Sequence, residues 1–448
     1  MIAPLLAQRA EDGLPIQVGI IGTGKFGGGL IAQISQMKGM RVAVVADVDV
    51  ERAKRVLFAC GTHSDHTQIA HSSHGMHDAI RQGKTVIVPD GLLVARCDLV
   101  DVVVEATGMP EVGARMAYEA LIHSHHVVMV NVEADVTVGP MLRRLADSAG
   151  VVYSLVDGDQ PGVTMNMIDW AQTLGFEIVA AGRGTVMFGD DRVGVPDSVP
   201  MRFGFSEEMM ARRTINFKMY NSFRDGSKAQ IEMAALANMA GLVPDVRGMH
   251  EPSVNIQDIA QMCSLKSEGG ILGQHGVVEL ANSIATDGKT MLPNPLKMGV
   301  FVVIRTDHPF TQEDLRDYFL HPGGDGKNYL LYRPYHLVAV EAPMSIAKAV
   351  LFKMPTGSPL STPTAEVITV AKRDLKVGEL LDGSGGYTVN GLCEKATVAR
   401  AENLLPLGLA SDVSMKVAAK QGTAISYDMV NLNENSFVLK LRRMQDVW

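Results

Sequence analysis

Hydrophobic and polar positions change rhythm twice along the chain. Up to about residue 156, short unbroken apolar runs alternate with stretches of helical period. The runs are Gln17-Val-Gly-Ile-Ile, Val42-Ala-Val-Val-Ala-Asp47, Thr85-Val-Ile-Val, Leu99-Val-Asp-Val-Val-Val-Glu-Ala-Thr-Gly108, His126-Val-Val-Met-Val-Asn131 and Val151-Val-Tyr-Ser-Leu-Val156. Leu30-Ile-Ala-Gln-Ile and Val112-Gly-Ala-Arg-Met-Ala-Tyr-Glu-Ala-Leu are among the helical stretches between them. Strands apolar on both faces and separated by helices predict a parallel sheet covered on both sides. From 157 to about 354 the pattern is less regular. Ile231-Glu-Met-Ala-Ala-Leu-Ala-Asn-Met-Ala-Gly241 reads as a long helix stopped by its glycine. Over 285–330 the frequent Gly, Pro and Asn predict long loops over a site. Pro355-Thr-Gly-Ser-Pro-Leu-Ser-Thr-Pro reads as a linker. Beyond it, Glu366-Val-Ile-Thr-Val-Ala and Ala424-Ile-Ser-Tyr flank short segments broken by glycine, the pattern of a small β-rich domain.

The first apolar run ends in Gly22-Thr-Gly24-Lys25-Phe26-Gly27 and passes straight into a helical pattern. Gly22 permits the turn out of the strand, Gly24 lets the backbone approach a pyrophosphate, and Gly27 lets helix and strand pack closely. Asp47 closes the second strand about where an adenosine ribose needs a carboxylate. The fold class is therefore α/β: a Rossmann-type doubly wound parallel sheet that binds a dinucleotide (1–156), an α+β catalytic domain (157–354), and the β-rich C-terminal domain (365–448). At 448 residues the chain is long enough for this division.

A formal charge of −8 gives no footing for nucleic acid or an anionic membrane surface. Cys60, Cys97, Cys263 and Cys393 are scattered, which fits neither a disulfide framework nor a zinc site. With no signal-peptide pattern and no apolar run of about 18 residues, a cytoplasmic location is expected.

Polar residues gather in few places. Asn216-Phe-Lys-Met-Tyr-Asn-Ser-Phe-Arg-Asp-Gly-Ser-Lys228 packs Lys218, Asn221, Arg224, Asp225 and Lys228 into eleven residues. If helical, Lys218, Asn221, Arg224 (or Asp225) and Lys228 share one face. A buried lysine can shuttle protons and an arginine can hold phosphate. The plainer alternative is a solvated charged turn, but the interleaved Phe217, Met219, Tyr220 and Phe223 require part of the segment to be buried. Asp157-Gly-Asp159 follows the last strand, where it can hold a divalent cation or simply turn the chain. Glu105, Thr107 and Gly108, with Asn131 and Glu133, close two further strands and are expected to border the ribose and nicotinamide. His63, His66, His71, His74 and His77 crowd beside Cys60, yet Ser72, Ser73 and Gly75 interrupt any single face. These histidines read as surface groups. His336 reads as a core histidine on a strand, with an acid–base role as the alternative.

These motifs carry a resemblance. The N-terminal half resembles homoserine dehydrogenase-like proteins. Residues from about 366 to 432, through Lys372-Arg-Asp-Leu-Lys-Val-Gly-Glu-Leu-Leu-Asp and Leu404-Leu-Pro-Leu-Gly-Leu, resemble an SAF domain. Together with the 218–228 segment, the whole is similar to the DXR-like reductoisomerases, bacterial proteins unrelated in motif to the conventional enzyme. The resemblance implies NADPH-dependent conversion of 1-deoxy-D-xylulose 5-phosphate to 2-C-methyl-D-erythritol 4-phosphate, a step toward isoprenoid precursors. Arg224 and Lys218 would anchor the phosphate of that sugar substrate, Lys228 would shuttle a proton or stabilise an enolate, and Asp225 would orient it. A homodimer through the middle domain is also implied. Two departures matter. Homoserine dehydrogenases space their catalytic pair as Asp-x-x-x-Lys, one residue wider than Asp225 and Lys228. The conventional reductoisomerase's Ser-Glu-His metal motif is absent, so Mn²⁺ or Mg²⁺ would need Asp157 or Asp159. Asp47 favours NADH, against the NADPH of the resemblance, unless Arg52 and Arg55 neutralise a 2′-phosphate. The rival readings are a homoserine dehydrogenase-like oxidoreductase acting on a small hydroxy acid or sugar acid, and a nucleotide-binding regulator without catalysis.

Overall fold

The apolar runs of the first 156 residues become the strands of one parallel sheet in the computed structural model, which describes residues 1–212 and 215–447. The strands are β1 (Ile16–Ile21), β2 (Met40–Ala46), β3 (Thr67–Ile69), β4 (Thr85–Val88), β5 (Val102–Glu105), β6 (His126–Met129) and β7 (Tyr153–Leu155). Their order is β3-β4-β2-β1-β5-β6-β7 with every pairing parallel. Val102, Val103 and Val104 are successive residues pointing to opposite faces, and all are fully buried. Both faces of the sheet are therefore covered, as a doubly wound fold requires. β3 was hidden in the histidine-rich stretch, because a three-residue edge strand of Thr-Gln-Ile carries little apolar signal. Four helices matter below: α1 (Lys25–Ile34), α2 (Val50–Ala59), α3 (Pro110–Ile122) and α4 (Val132–Ala149).

The chain divides into two compact units. The first combines Met1–Gly162 with Leu337–Ser361 and Ser436–Trp448, and the second combines Val163–His336 with Thr362–Asn435. The expected linker is not loose. Gly357 offers its carbonyl to the amide of Leu155 at 2.8 Å, and the amide of Thr356 donates to Ser154 Oγ at 2.9 Å. A proline-rich strip thus covers the outer edge of β7, supplying partners that an edge strand lacks. The C-terminal helix Phe437–Asp446 lies on α3 and α4, its first turn held by Glu111, which accepts from the amides of Phe437 (2.6 Å) and Val438 (3.1 Å). It also mends a break. Pro140 interrupts α4, and Gln445 fills the gap, accepting from the amide of Met141 at 3.1 Å and donating to the carbonyl of Thr137 at 3.4 Å.

The second unit is built on a mixed sheet of β8 (Glu177–Thr185), β9 (Val243–Pro244), β10 (Val277–Asn282), β11 (Val300–Arg305), β12 (Pro322–Gly323) and β13 (Asn328–Arg333), ordered β12-β13-β11-β8-β10-β9. β11 corrects the expectation of long loops over 285–330. Val300 to Ile304 are fully buried in the middle of the sheet, flanked by the glycine- and proline-rich loops that masked them. Helix α5 (Phe217–Arg224) precedes α6 (Ser227–Ala240), which stops at Gly241 (φ 73°) as expected. α6 is buried all round, so its polar residues need partners. Asn238 Oδ1 accepts from the amides of Thr364 and Ala365 (2.8 and 2.9 Å), and Gln230 Oε1 accepts from the amide of Cys393 (2.7 Å). Those bonds fasten a β-rich module of two small antiparallel sheets, β14 (Ala365–Ala371) with β16 (Val389–Lys395), and β15 (Leu380–Asp382) with β17 (Ser411–Met415) and β18 (Val430–Asn431). Among the described residues no helix is long and apolar enough to cross a membrane.

Candidate functional site

In the first unit, β1 turns into α1 through Gly22, whose φ of 97° favours glycine. A Cβ there would lie 2.8 Å from the Ala106 carbonyl oxygen, and one on Gly27 only 2.0 Å from the Gly22 oxygen. Both positions exclude larger residues. Gly24 is the opposite case: a Cβ on it meets nothing within 4 Å, and as N-cap it offers no side chain to the first-turn amides. Lys25 is exposed beside those amides and Phe26 is half-buried. An open helix N-terminus of this kind suits a pyrophosphate, so the loop fits a dinucleotide.

Asp47 does not serve as expected. It is 5% exposed and accepts from Thr23 N (2.9 Å) and Oγ1 (2.5 Å), Asp49 N (2.9 Å), and Arg52 Nε (3.2 Å) and Nη2 (2.6 Å). Burial pushes its carboxyl up, but the bonds from Thr23, Arg52 and the backbone outweigh burial and hold it below the usual carboxylate range. With both oxygens engaged, Asp47 clamps the glycine loop to α2 instead of offering an acceptor to a ribose. The clamp leaves Arg52, its side chain 42% exposed, at the strand ends, with the more exposed Arg55 one turn on.

Glu105 and Asn131 are also corrected. Glu105 is fully buried at the end of β5, with Oε1 accepting from the amide of Thr107 (3.0 Å). Burial raises its carboxyl to about 7. Asn131, 1% exposed, caps α4 through the amide of Ala134 (3.1 Å) and donates to the Met109 carbonyl (3.0 Å). Both are buried and shape the strand ends from within. Thr107, Gly108 and Glu133 keep surface at this edge. Asp157 is 5% exposed with Lys348 Nζ 3.3 Å from its carboxylate, and Asp159 accepts from the amide of Gln160 (3.0 Å). Among the described residues no three His, Cys, Asp or Glu side chains converge as metal ligands would. The expectation that Asp157 and Asp159 hold a cation therefore finds no ligand set.

In the second unit, the 216–228 cluster does not present one helical face. The helix breaks at Asp225-Gly226 (φ 79°), and the side chains diverge. Lys218 donates to the Asp382 carbonyl. Asn221, fully buried, donates to the carbonyls of Gly194 and Gly385, both at 2.9 Å. Arg224 holds Asp191 (2.8 Å) and Ser198. Asp225, fully buried, meets Lys372 Nζ at 2.5 Å, and that ammonium also donates to the carbonyls of Gly194 (3.0 Å) and Gly386 (2.7 Å). Four of the five expected catalytic groups thus brace the 188–198 loop or the 382–386 turn. Lys218, exposed, and Arg224, buried, are both engaged in these braces. Lys228 sits half-buried in the first turn of α6.

Sequence reasoning missed Asp191, which Arg202 and Arg224 together hold below the usual carboxylate range against its burial. Its signal was Phe188-Gly-Asp-Asp-Arg-Val-Gly194, charges set between glycines. It also missed Glu279, a lone acid in the apolar strand β10. Fully buried, Glu279 accepts from His250 Nδ1 (2.8 Å) and from the amides of His250 and Glu251 (3.0 Å each). That bond raises the His250 imidazole above its usual value. Met249 (φ 65°) and Glu251 (φ 53°) flank it in the left-handed region, strain that the Glu279 carboxylate stabilises. His336 lies in the loop after β13, half-buried, its Nδ1 2.9 Å from the Met298 carbonyl, and not within a strand. His63, His66, His71 and His74 are exposed, in line with the surface reading, and His77 is half-buried.

Residues 22–155 match the family model described as homoserine dehydrogenase, NAD binding domain. Residues 158–342 match that described as oxidoreductase DRL, catalytic domain. Among solved structures, the chain is similar to DOX-P reductoisomerase in complex with magnesium, at 14% identity and a TM-score of 0.33, covering 50% of this chain and 57% of that one. It is also similar to a probable dehydrogenase from Thermotoga maritima, at 10% identity and a TM-score of 0.40, covering 76% and 90%. The chain spans little more than half the length of the reductoisomerase. No curated protein matches it. With a homoserine dehydrogenase-type NAD-binding domain followed by a DRL-type catalytic domain, the chain is an NAD(P)-dependent oxidoreductase.

Proposed function

We propose that the chain is an NADPH-dependent reductoisomerase that converts 1-deoxy-D-xylulose 5-phosphate to 2-C-methyl-D-erythritol 4-phosphate. Residues 158–342, matched to the catalytic domain of oxidoreductase DRL, carry the proposal. Arg52 supports the phosphorylated cofactor. Its guanidinium is tethered by Asp47 at the strand ends, where a 2′-phosphate needs a cation and a free 2′-hydroxyl needs an acceptor. When bound, the nicotinamide supplies a hydride to the aldehyde formed by rearrangement of the carbon skeleton. The chain's own part is to polarise carbonyl oxygens and move protons. Lys228 is suited to both, because an ammonium beside an enolate oxygen stabilises its charge and can return a proton to carbon. Asp225 acts by position: its pairing with Lys372 holds the turn at Gly226 and so sets the start of α6.

The test is direct. Purified protein with the substrate and NADPH should lose absorbance at 340 nm and yield the branched tetritol phosphate by mass spectrometry. Lys228→Ala should lower kcat by about 10²–10⁴-fold, the usual contribution of a positioned acid–base group. Wild-type protein that leaves NADPH unoxidised, with and without Mn²⁺ or Mg²⁺, would overturn the proposal. An unbranched reduced product would identify a plain dehydrogenase instead.

A further inference from the structure

Three of the four residues Gly248-Met249-His250-Glu251 have left-handed backbones, Gly248 at φ 80°, Met249 at 65° and Glu251 at 53°. Such conformations persist only where the surroundings over-determine them, and they gather at switches and ligand clamps. Here one carboxylate does the holding. Glu279, fully buried in β10, accepts from the amides of His250 and Glu251 (3.0 Å each), from His250 Nδ1 (2.8 Å) and from the amide of Leu280 (2.8 Å). A carboxylate offers about four acceptor sites, so the set is full, and three of the four donors come from the strained turn.

The donors are not equal. Three are backbone amides, while the fourth belongs to a ring that can lose its charge. Among the described residues His250 is the only cation bonded to Glu279. A buried carboxylate that loses its counter-charge is strongly destabilised, so the hold on the turn depends on the His250 proton. Three charged groups face the imidazole: Glu279 from β10, Asp245 just after β9 with Oδ2 3.6 Å from Nε2, and Lys266 from the 266–268 turn, whose charge opposes the proton. The bond to Glu279 outweighs the rest and raises the imidazole above its usual value. The turn is also tied to the site region. Glu251 holds Arg192 Nη2, and Arg192 lies in the 188–198 loop that Asn221, Arg224 and Lys372 brace.

We propose that Gly248–Glu251 is a proton-controlled latch. With His250 charged, the turn closes on Glu279 and, through Glu251 and Arg192, fixes the 188–198 loop. Loss of that proton leaves Glu279 without a counter-charge, the left-handed residues relax toward ordinary backbone angles, and the loop is released. Linkage sets the direction. A group that holds its proton more tightly in the folded state contributes stability at low pH and loses it as pH rises. The latch therefore opens on the alkaline side. It does not depend on which substrate the enzyme reduces.

Hydrogen exchange of the full-length chain from about pH 6 to 9, corrected for intrinsic rates, reads the latch. In the wild type, the amides of 249–251 and of 188–194 should both lose protection by about 10- to 100-fold across that range, the loss expected for hydrogen bonds to a charged group. Val300–Ile304 of β11 should keep theirs. His250→Gln should exchange fast in both segments at every pH. Glu251→Gln cuts only the tie to Arg192 and leaves the donors to Glu279 in place, so it carries the test should His250→Gln fail to fold. In that variant 188–194 should exchange fast throughout while 249–251 still titrates. Flat wild-type protection in both segments would overturn the latch. A wild-type loss confined to 249–251 would overturn its control of the 188–198 loop, and an unaltered pH dependence in His250→Gln would overturn the role of that proton.

Discussion

Replacing Glu105 by Gln should change how the first unit responds to pH. Glu105 is fully buried, one oxygen accepts from the amide of Thr107 at 3.0 Å, and the other has no partner. The nearby Asn131 amide is directed to the Met109 carbonyl. Burial therefore raises the carboxyl from 4.5 to about 7. A folded-state pKa above the unfolded value means that the native state keeps a proton the unfolded chain has released. The stability this contributes is complete below about pH 4.5 and is lost as pH rises through about 7. Each pKa unit corresponds to ~1.36 kcal/mol, so the window from pH 5 to 7 should remove about 2 kcal/mol. Glu105→Gln keeps the neutral shape and deletes the titration. A chain of two units need not unfold in one step, so the readout is hydrogen exchange at the β5 and β6 amides, corrected for intrinsic rates. The wild-type opening free energy should fall between pH 5 and 8, and the variant's should fall by about 2.5 kcal/mol less. Parallel pH curves for the two proteins would refute the reasoning. Asp135 offers an internal repeat: fully buried, with the Tyr153 hydroxyl donating to it at 2.8 Å, it too is pushed up to about 7 by burial. Asp135→Asn should flatten the same window.

Three further outcomes follow from the contacts. Arg52→Ala should raise KM for NADPH about 10- to 100-fold and leave NADH within about threefold, since a charged hydrogen bond contributes ~1.5–3 kcal/mol; equal effects on the two cofactors would remove Arg52 from 2′-phosphate recognition. Lys372→Met should destabilise the second unit by about 3–5 kcal/mol in urea unfolding, because it leaves the Asp225 carboxylate buried without a counter-charge. Adding Asp225→Asn should recover most of the loss, and a double variant no better than the single would show that the pair's charge is not the cause. Gln445→Ala should cost about 1–3 kcal/mol and speed hydrogen exchange in α4 around Met141, where Gln445 bridges the break at Pro140; unchanged exchange there would place the repair elsewhere.

What the sequence made legible follows from how far its physics reaches along the chain. The strands at Val18–Ile21 and Val102–Val104 announced themselves because continuous apolar runs have few other ways to be buried, and Gly22 and Gly27 because close backbone approach excludes a Cβ. β11 escaped because glycine and proline on either side were weighed above Val300–Ile304 itself. The polar residues failed for a deeper reason. Aromatic neighbours correctly required part of the 216–228 segment to be buried, and a buried polar group must find partners. Composition cannot say which. Asn221 finds the carbonyl of Gly385, 164 residues away, and Asp47 finds Arg52 only five residues on, yet neither pairing is written in a motif. Both sit where a site was expected and help to hold the fold: Asp47 has both carboxylate oxygens engaged, while Asn221 gives its amide hydrogens to two carbonyls and leaves Oδ1 without a partner. A residue whose bonds are complete has little left to offer a ligand. The informative atoms are then the ones the fold leaves incomplete, and in the second unit these include Asn221 Oδ1 and Asn390 Oδ1, both buried without a hydrogen-bond partner.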